Sequence, residues 1–293
     1  MSGIVVLGAL HHDVVVDAPR MPGLDETLPG TRVDYRSGGK GGNQAMAAAR
    51  MGAQVAMAGR VGRDRAAETI RAAMDVAGVE HALVLEADAP TGMSVAITLP
   101  SGEYGAVIVP GANLDNDGEV SWREPPVAGL LQNEIPEAAN LAFASRLPPD
   151  SLLIANAAPA RRIPVELAER IDVLVLNLVE AEGLTGHRNP EAALTTLAGM
   201  VPGAVVLTQG ANGAMLLENN KMTHHRAFSV KVASTHGAGD MFTGALAARL
   251  TAGDSLHLAL RFAQAAAGLL VSSPVDLRPE VTHTAVEAFL ARA

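Results

Sequence analysis

Short runs of aliphatic and β-branched residues, apolar throughout rather than alternating, recur along this chain with helix-length segments between them. They fall at Ile4–Leu7, 55–58, 152–155, 173–176 and Ala204–Thr208. A strand with one wet face alternates polar and apolar residues; a strand apolar at every position is covered on both faces. Between the runs lie helical patterns at about 43–51, 65–77, 165–170 and 190–200. Strand alternating with helix predicts βαβ units, hence an α/β fold with a mostly parallel sheet and helices on both faces. Two strand pairs do not fit that alternation. The segments 13–17 and 32–37, and the hairpin 93–99 with 104–109 about the turn Ser101-Gly102, predict a small separate sheet, a flap on the main body. The run 228–232 also reads as a strand, and three helices follow at about 241–251, 255–271 and 279–292. No linker divides residues 1–293, which read as a single unit with the flap built from roughly 13–37 and 91–110.

Composition narrows function mainly by exclusion. A formal net charge of −9 and an aromatic content of 3% leave neither a basic face nor many stacking platforms for nucleic acid. An anionic small molecule stays open, because backbone N–H groups bind phosphate whatever the global charge. The absence of cysteine removes thiolate catalysis, disulfides and cysteine-liganded zinc together. The apolar stretch after Met1 is too short for a signal peptide or membrane span, so the expectation is a cytoplasmic protein with no membrane partner.

Two glycine-rich segments carry the chemistry. In Ser234-Thr235-His236-Gly237-Ala238-Gly239-Asp240, followed by a helix, Gly237, Ala238 and Gly239 let backbone N–H groups converge where the helix adds its positive end. Such a cradle can meet the charge on a phosphoryl group in transfer, and Asp240 stands where it could take a proton from an attacking hydroxyl. The plainer alternative makes Asp240 a helix N-cap. In Ser37-Gly38-Gly39-Lys40-Gly41-Gly42-Asn43-Gln44, four glycines surround Lys40 ahead of an alanine-rich helix. The spacing is not that of a Walker A loop. It reads either as a loop holding a polyol through Lys40 and Asn43, or as a strand-to-helix turn capped by Asn43.

Taken together, these segments resemble the two signatures of the ribokinase family of carbohydrate kinases, the phosphofructokinase-B superfamily. Further matches follow in family order: Gly23-x-x-Glu26-Thr27, Pro110-Gly111-Ala112-Asn113, Asn156-x-x-Pro159-Ala160-Arg161, Asn177-x-x-Glu180 and Thr208-Gln209-Gly210-Ala211-Asn212-Gly213. The resemblance implies a Rossmann-like α/β domain with a small β-sheet lid, and ATP-dependent phosphorylation of the hydroxymethyl group of a small sugar, D-ribose first. It makes Asp240 the catalytic base and Gly237 to Gly239 the anion hole. It places His11, Asp13, Gly39, Lys40, Asn43 and Glu134 on the sugar. Asn177, Glu180, Thr208, Gly210, Gly213 and Gln264 would serve the nucleotide, with Glu180 acting indirectly on Mg2+. A homodimer formed through the lids is implied as well.

Three departures stand out. His11 occupies a position where the family usually has asparagine. Ser234 replaces an aspartate that helps hold a monovalent cation, and the segment 272–276 lacks the glycine-containing loop that completes that site. What remains is a degenerate K+ site from Ser234 and the His236 backbone, with Asp276 as a conceivable substitute. The competing readings are a nucleoside or other sugar kinase of the same fold, and a sugar-binding regulator without turnover; a dinucleotide-binding dehydrogenase is disfavoured because no G-x-G-x-x-G follows the first strand. The remaining histidines, among them His81, His224 and His225, read as structural. Asp17, Asp25, Asp115 and Asp117 read as solvated loop carboxylates.

Overall fold

The computed structural model describes residues 3–101 and 103–292, so Gly102 of the expected turn lies outside the described residues. In chain order the elements are β1 (Ile4–Leu7), β2 (His11–Asp17), β3 (Arg32–Gly38), α1 (Lys40–Arg50), β4 (Val55–Val61), α2 (Arg65–Ala77), β5 (Glu80–Glu86), β6 (Gly92–Thr98) and β7 (Tyr104–Val109). There follow β8 (Ala128–Gln132), α3 (Glu137–Arg146), β9 (Leu152–Asn156), α4 (Val165–Ala168), β10 (Val173–Asn177), α5 (Leu178–Thr185), α6 (Pro190–Ala198) and β11 (Ala204–Thr208). The chain ends with β12 (Ala214–Glu218), β13 (Lys221–His225), α7 (Ala238–Thr251), α8 (Leu256–Ser272) and α9 (His283–Leu290).

Nine strands form one sheet in the order β13-β12-β11-β10-β9-β8-β1-β4-β5. From β11 to β5 every pairing is parallel, and the β12–β13 hairpin adds an antiparallel edge. Central β1 shows why its run is unbroken. Ile4 and Val6 pack into the layer made with α1, α7 and α8, while Val5 and Leu7 pack into the layer made with α3 and α6. All four residues are buried.

The second sheet has the order β3-β2-β6-β7. It is mixed: β2 pairs antiparallel with β3 and parallel with β6, which in turn pairs antiparallel with β7. Its inner and outer faces differ in chemistry. His11, Asp13, Asp17, Arg32, Asp34, Arg36, Ser94 and Thr98 face a cavity between the two sheets, whereas Val33, Tyr35, Val95, Val107 and Val109 are exposed.

Four expectations require correction. The first long helix begins at Lys40, not near 43, so Gly41 and Gly42 are helical. Gly41 is needed for close approach, since a Cβ there would meet the carbonyl carbon of Gly8 at 2.7 Å. Residues 228–232 are not a strand; the edge strand is β13, reached through Asn219 and Asn220, whose φ values of 50° and 60° suit the tight turn a two-residue hairpin demands. The helix expected over 279–292 is interrupted, with a 3-10 turn at Val275–Glu280 and Thr282 capping α9. Asp17 is not a loop carboxylate, for it sits in β2 and accepts a hydrogen bond from Thr98 Oγ1 at 2.5 Å.

Candidate active site

The site exists because α1 and α7 cross at very short range. A Cβ on Gly244 would come within 2.6 Å of both the Ala47 Cβ and the Gln44 carbonyl oxygen, so a side chain there would push the helices apart. That contact brings the first turn of α7 against the first turn of α1. Asp240, buried at 9% exposure, accepts from Asn43 Nδ2 on one carboxylate oxygen and from Gln44 Nε2 on the other, both at 3.0 Å. Gln44 is fully buried, and its Nε2 also donates to Asn156 Oδ1 at 3.0 Å; Asn156 Nδ2 donates to the Val175 carbonyl. Asp240 is therefore not a cap. The N-cap of α7 is Gly237, left-handed at φ 78°, with no side-chain capping bond. Asn43 is not a cap either, because that position in α1 belongs to Gly39.

Asp240 opens onto a cavity of about 810 Å³ between the two sheets. His11, Asp13, Gly39, Lys40, Asn43 and Glu134 all line it. The Lys40 N–H donates to Glu134 Oε2 at 2.7 Å, and Ser94 Oγ donates to Asp13 Oδ1 at 2.7 Å. Burial pushes the Glu134 carboxyl above its usual range; Lys40 opposes the shift, while the negative fields of Asp240 and Asp13 add to it. His11 is 3% exposed, and burial lowers its pKa against the pull of Asp13, so its imidazole is neutral near pH 7. Its Nε2 is buried with no hydrogen-bond partner among the described residues. Two carboxylates, an amide and an unused ring nitrogen on the same cavity can hydrogen-bond several hydroxyl groups.

Asn177, Glu180 and Thr208 line the same cavity, with the loop 233–239. Asn177 and Glu180 form a reciprocal capping box on α5: Asn177 Oδ1 accepts the Glu180 N–H at 3.0 Å, and Glu180 Oε2 accepts the Asn177 N–H at 2.8 Å. Burial raises the Glu180 pKa, with the Asn177 N–H opposing. A carboxylate whose charge burial penalises gains by facing a cation. One such group, half engaged, suits a magnesium ion that keeps its waters and is held chiefly by phosphate oxygens.

Gly210, Gly213 and Gln264 do not line the cavity. Gln264 is buried and its Nε2 donates to the His225 carbonyl at 2.9 Å, tying α8 to the end of β13. Gly213, at φ 93°, makes the tight return into β12.

The backbone of Ser234 and His236, the two residues expected to form a degenerate monovalent-cation site, is already engaged through its carbonyls. Arg278, 9% exposed, donates from one guanidinium nitrogen to the His236 carbonyl at 2.7 Å and from the other to the Ser234 carbonyl at 2.8 Å. The residues present do not fit a potassium ion there. Sequence reasoning passed over Arg278, Gln44 and Asn156 as functional residues. Gln44 carried a signal, as an uncharged polar side chain set directly against the apolar, alanine-rich run 45–49.

Residues 1–280 match the model of the pfkB family carbohydrate kinases. A ribokinase of Bacillus subtilis (strain 168) is 33% identical over 283 residues, which cover 93% of this chain and 94% of that protein. The structure of Arabidopsis thaliana ribokinase complexed with ribose and ATP superposes with a TM-score of 0.89 at 29% identity, covering 99% of both chains. A Thermotoga maritima ribokinase gives a TM-score of 0.90 at 28% identity, covering 99% of this chain and all of the other. The chain belongs to the pfkB family of carbohydrate kinases, and its fold is that of the ribokinases.

Proposed function

We propose that the protein phosphorylates D-ribose at its hydroxymethyl group, using ATP and yielding ribose 5-phosphate and ADP. The observation that carries this reading is the position of Asp240, a buried carboxylate at the positive end of α7 that lines the same cavity as these hydroxyl-binding groups. In this reading Asp13, Asn43 and Glu134 hold the sugar hydroxyls. Asp240 accepts the proton of the hydroxymethyl group as its oxygen bonds to the γ-phosphorus and the bond to the β–γ bridging oxygen breaks. Gly237, Ala238 and Gly239 form the anion hole, where N–H groups fixed in advance meet the charge of the transferring group. The Ala238 N–H donates to the Thr235 carbonyl at 3.2 Å, a long bond that a phosphoryl oxygen can displace. Magnesium would supply charge neutralisation on the phosphates, and Glu180 is the carboxylate that would face it; with Asn177 it fixes the start of α5 through the capping box.

The four-stranded sheet acts as a lid that closes over the sugar and excludes water, which keeps ATP from hydrolysis. Its apolar outer face supports a homodimer formed lid to lid. Among the described residues, Phe242 is the one aromatic carbon ring lining the cavity, and it is itself buried. A nucleobase would have little to stack on. The test is a coupled ADP-release assay over pentoses, hexoses and nucleosides. Ribose is expected to give the highest kcat/KM, and a nucleoside or hexose ranking first would overturn the substrate assignment.

A further inference from the structure

From the guanidinium bridge between Ser234 and His236, we infer that Arg278 is a built-in cation that sets the anion-hole loop, doing with a side chain what a bound monovalent ion would do in its place. The inference rests on the kinase reading above. A trans peptide is planar, and its C=O and N–H point in opposite directions. The only cis bond among the described residues is Ala158-Pro159, so the 234–235 and 236–237 units are trans. Arg278 draws the carbonyls of both units to itself, and the N–H groups of Thr235 and Gly237 are thereby turned the other way. Gly237 and its neighbours line the cavity beside Asp240.

The bridge is built rather than incidental. Arg278 projects from the 3-10 turn Val275–Glu280, its side chain is buried, and its Nε has no hydrogen-bond partner among the described residues, so the two terminal nitrogens on the loop make all its hydrogen bonds there. Burial and the nearby Arg36 lower its pKa, yet a guanidinium is so strong a base that it keeps its charge at neutral pH. The loop is pinned from a second side, where the N–H groups of Ala233 and Ser234 both donate to the Val271 carbonyl at 2.7 and 3.2 Å. Ser234, with no carboxylate, suits this arrangement: the arginine brings its own charge and needs neutral oxygens to hold. Arg278 is a positioning residue, acting on the phosphoryl group through the loop.

The experiment measures initial velocity with ribose and ATP at fixed ionic strength, with potassium replaced by tetramethylammonium. Wild type is expected to change less than about twofold. Arg278→Gln should lose about 10²-fold in kcat, the scale of losing one preorganised donor, with the ribose Kd by calorimetry within about threefold. Because that variant frees two carbonyl oxygens, which are good potassium ligands, potassium or free guanidinium should restore at least tenfold. Arg278→Lys, which keeps the charge, should retain more activity than Arg278→Gln. Strong potassium activation of the wild type would overturn the inference, as would near-normal turnover of Arg278→Gln without added cation. If Arg278→Gln does not fold, the wild-type arm and Arg278→Lys still decide. The thermal shift induced by a non-hydrolysable ATP analogue reads the loop without turnover. An equal shift in both salts with no sugar phosphorylated would sink the kinase reading and leave Arg278 standing; a shift seen only in potassium would sink Arg278.

Discussion

Asp240→Asn separates chemistry from stability at this site, and the hydrogen-bond directions say how. Both carboxylate oxygens accept, one from Asn43 and one from Gln44. The new amide keeps one oxygen and turns an NH2 toward one of these donors, so one neighbour has to reverse. Gln44 is the poor candidate, because its single Nε2 serves Asp240 and Asn156 together, and a flip would orphan Asn156. Asn43 is only partly buried and can present its own oxygen at little cost. The expected loss of folding stability is therefore under about 1 kcal/mol, the net worth of one ordinary hydrogen bond. Turnover should fall about 10²–10⁴-fold, the range for removing a general base, which corresponds to about 3–5 kcal/mol of barrier. Ribose affinity by calorimetry should stay within about threefold. Asp240→Ala supplies the contrast. It strands the Gln44 donor in the interior, which costs about 1–3 kcal/mol, and is equally inactive. Urea unfolding and steady-state kinetics on both variants give the four numbers. Turnover of Asp240→Asn within about tenfold of wild type would refute the proton-acceptor role. Equal destabilisation of the two variants would refute the bonding pattern described for Gln44.

Gln44→Leu leaves the Asp240 and Asn156 oxygens without their shared donor; unfolding should show a loss of roughly 2–5 kcal/mol, and kcat should fall more than KM rises. His11→Asn should change the ranking among pentoses in the ADP-release assay without abolishing activity. Burial lowers the His11 pKa from 6.5, so the unfolded chain binds that proton more readily; stability is fully present above pH 6.5 and is lost as pH falls below it, and the variant's Tm should decline less steeply there, with His225, also lowered, keeping part of the slope. Val107, 69% exposed on the outer face of the second sheet, tests assembly: Val107→Asp should shift the sedimentation coefficient from dimer to monomer, and an unchanged value would exclude the lid as the interface.

The parallel sheet was legible because its signal is local. An unbroken run such as Ile4–Leu7 has nowhere to lie except between two layers. Several elements announced themselves less clearly. The strand β13, Lys-Met-Thr-His-His, lies at the sheet's antiparallel edge and is half-exposed, whereas the more apolar 228–232 is partly exposed, rests on the core through Phe228 and pairs with no strand. At the site, the glycine segments and Asp240 could be found in sequence, but their meeting depends on Gly244, a residue with no chemistry of its own whose missing side chain sets the distance between α1 and α7. Arg278 was illegible for a related reason. It lies more than forty residues from the carbonyls it holds, and main-chain acceptors leave no trace in a sequence. Glu180 shows the reverse hazard, since its spacing from Asn177 fits a magnesium motif and a capping box equally, and the structure displays the capping box.

The second sheet writes two messages in one alphabet. On β2 the odd-numbered residues His11, Asp13, Val15 and Asp17 look inward, and on β3 the even-numbered Arg32, Asp34 and Arg36 do so; the residues between them look out. The proposal of a sugar-holding lid that also pairs lid to lid therefore assigns ligand choice and self-association to opposite parities of the same strands. Under that assignment a point substitution can alter one message without touching the other. A single insertion inside a strand is another matter: every residue beyond it changes sides, presenting valines to the sugar and charges to a neighbouring molecule. Length changes are tolerable only between strands, as in the stretch 18–31 that joins β2 to β3, where no parity is at stake.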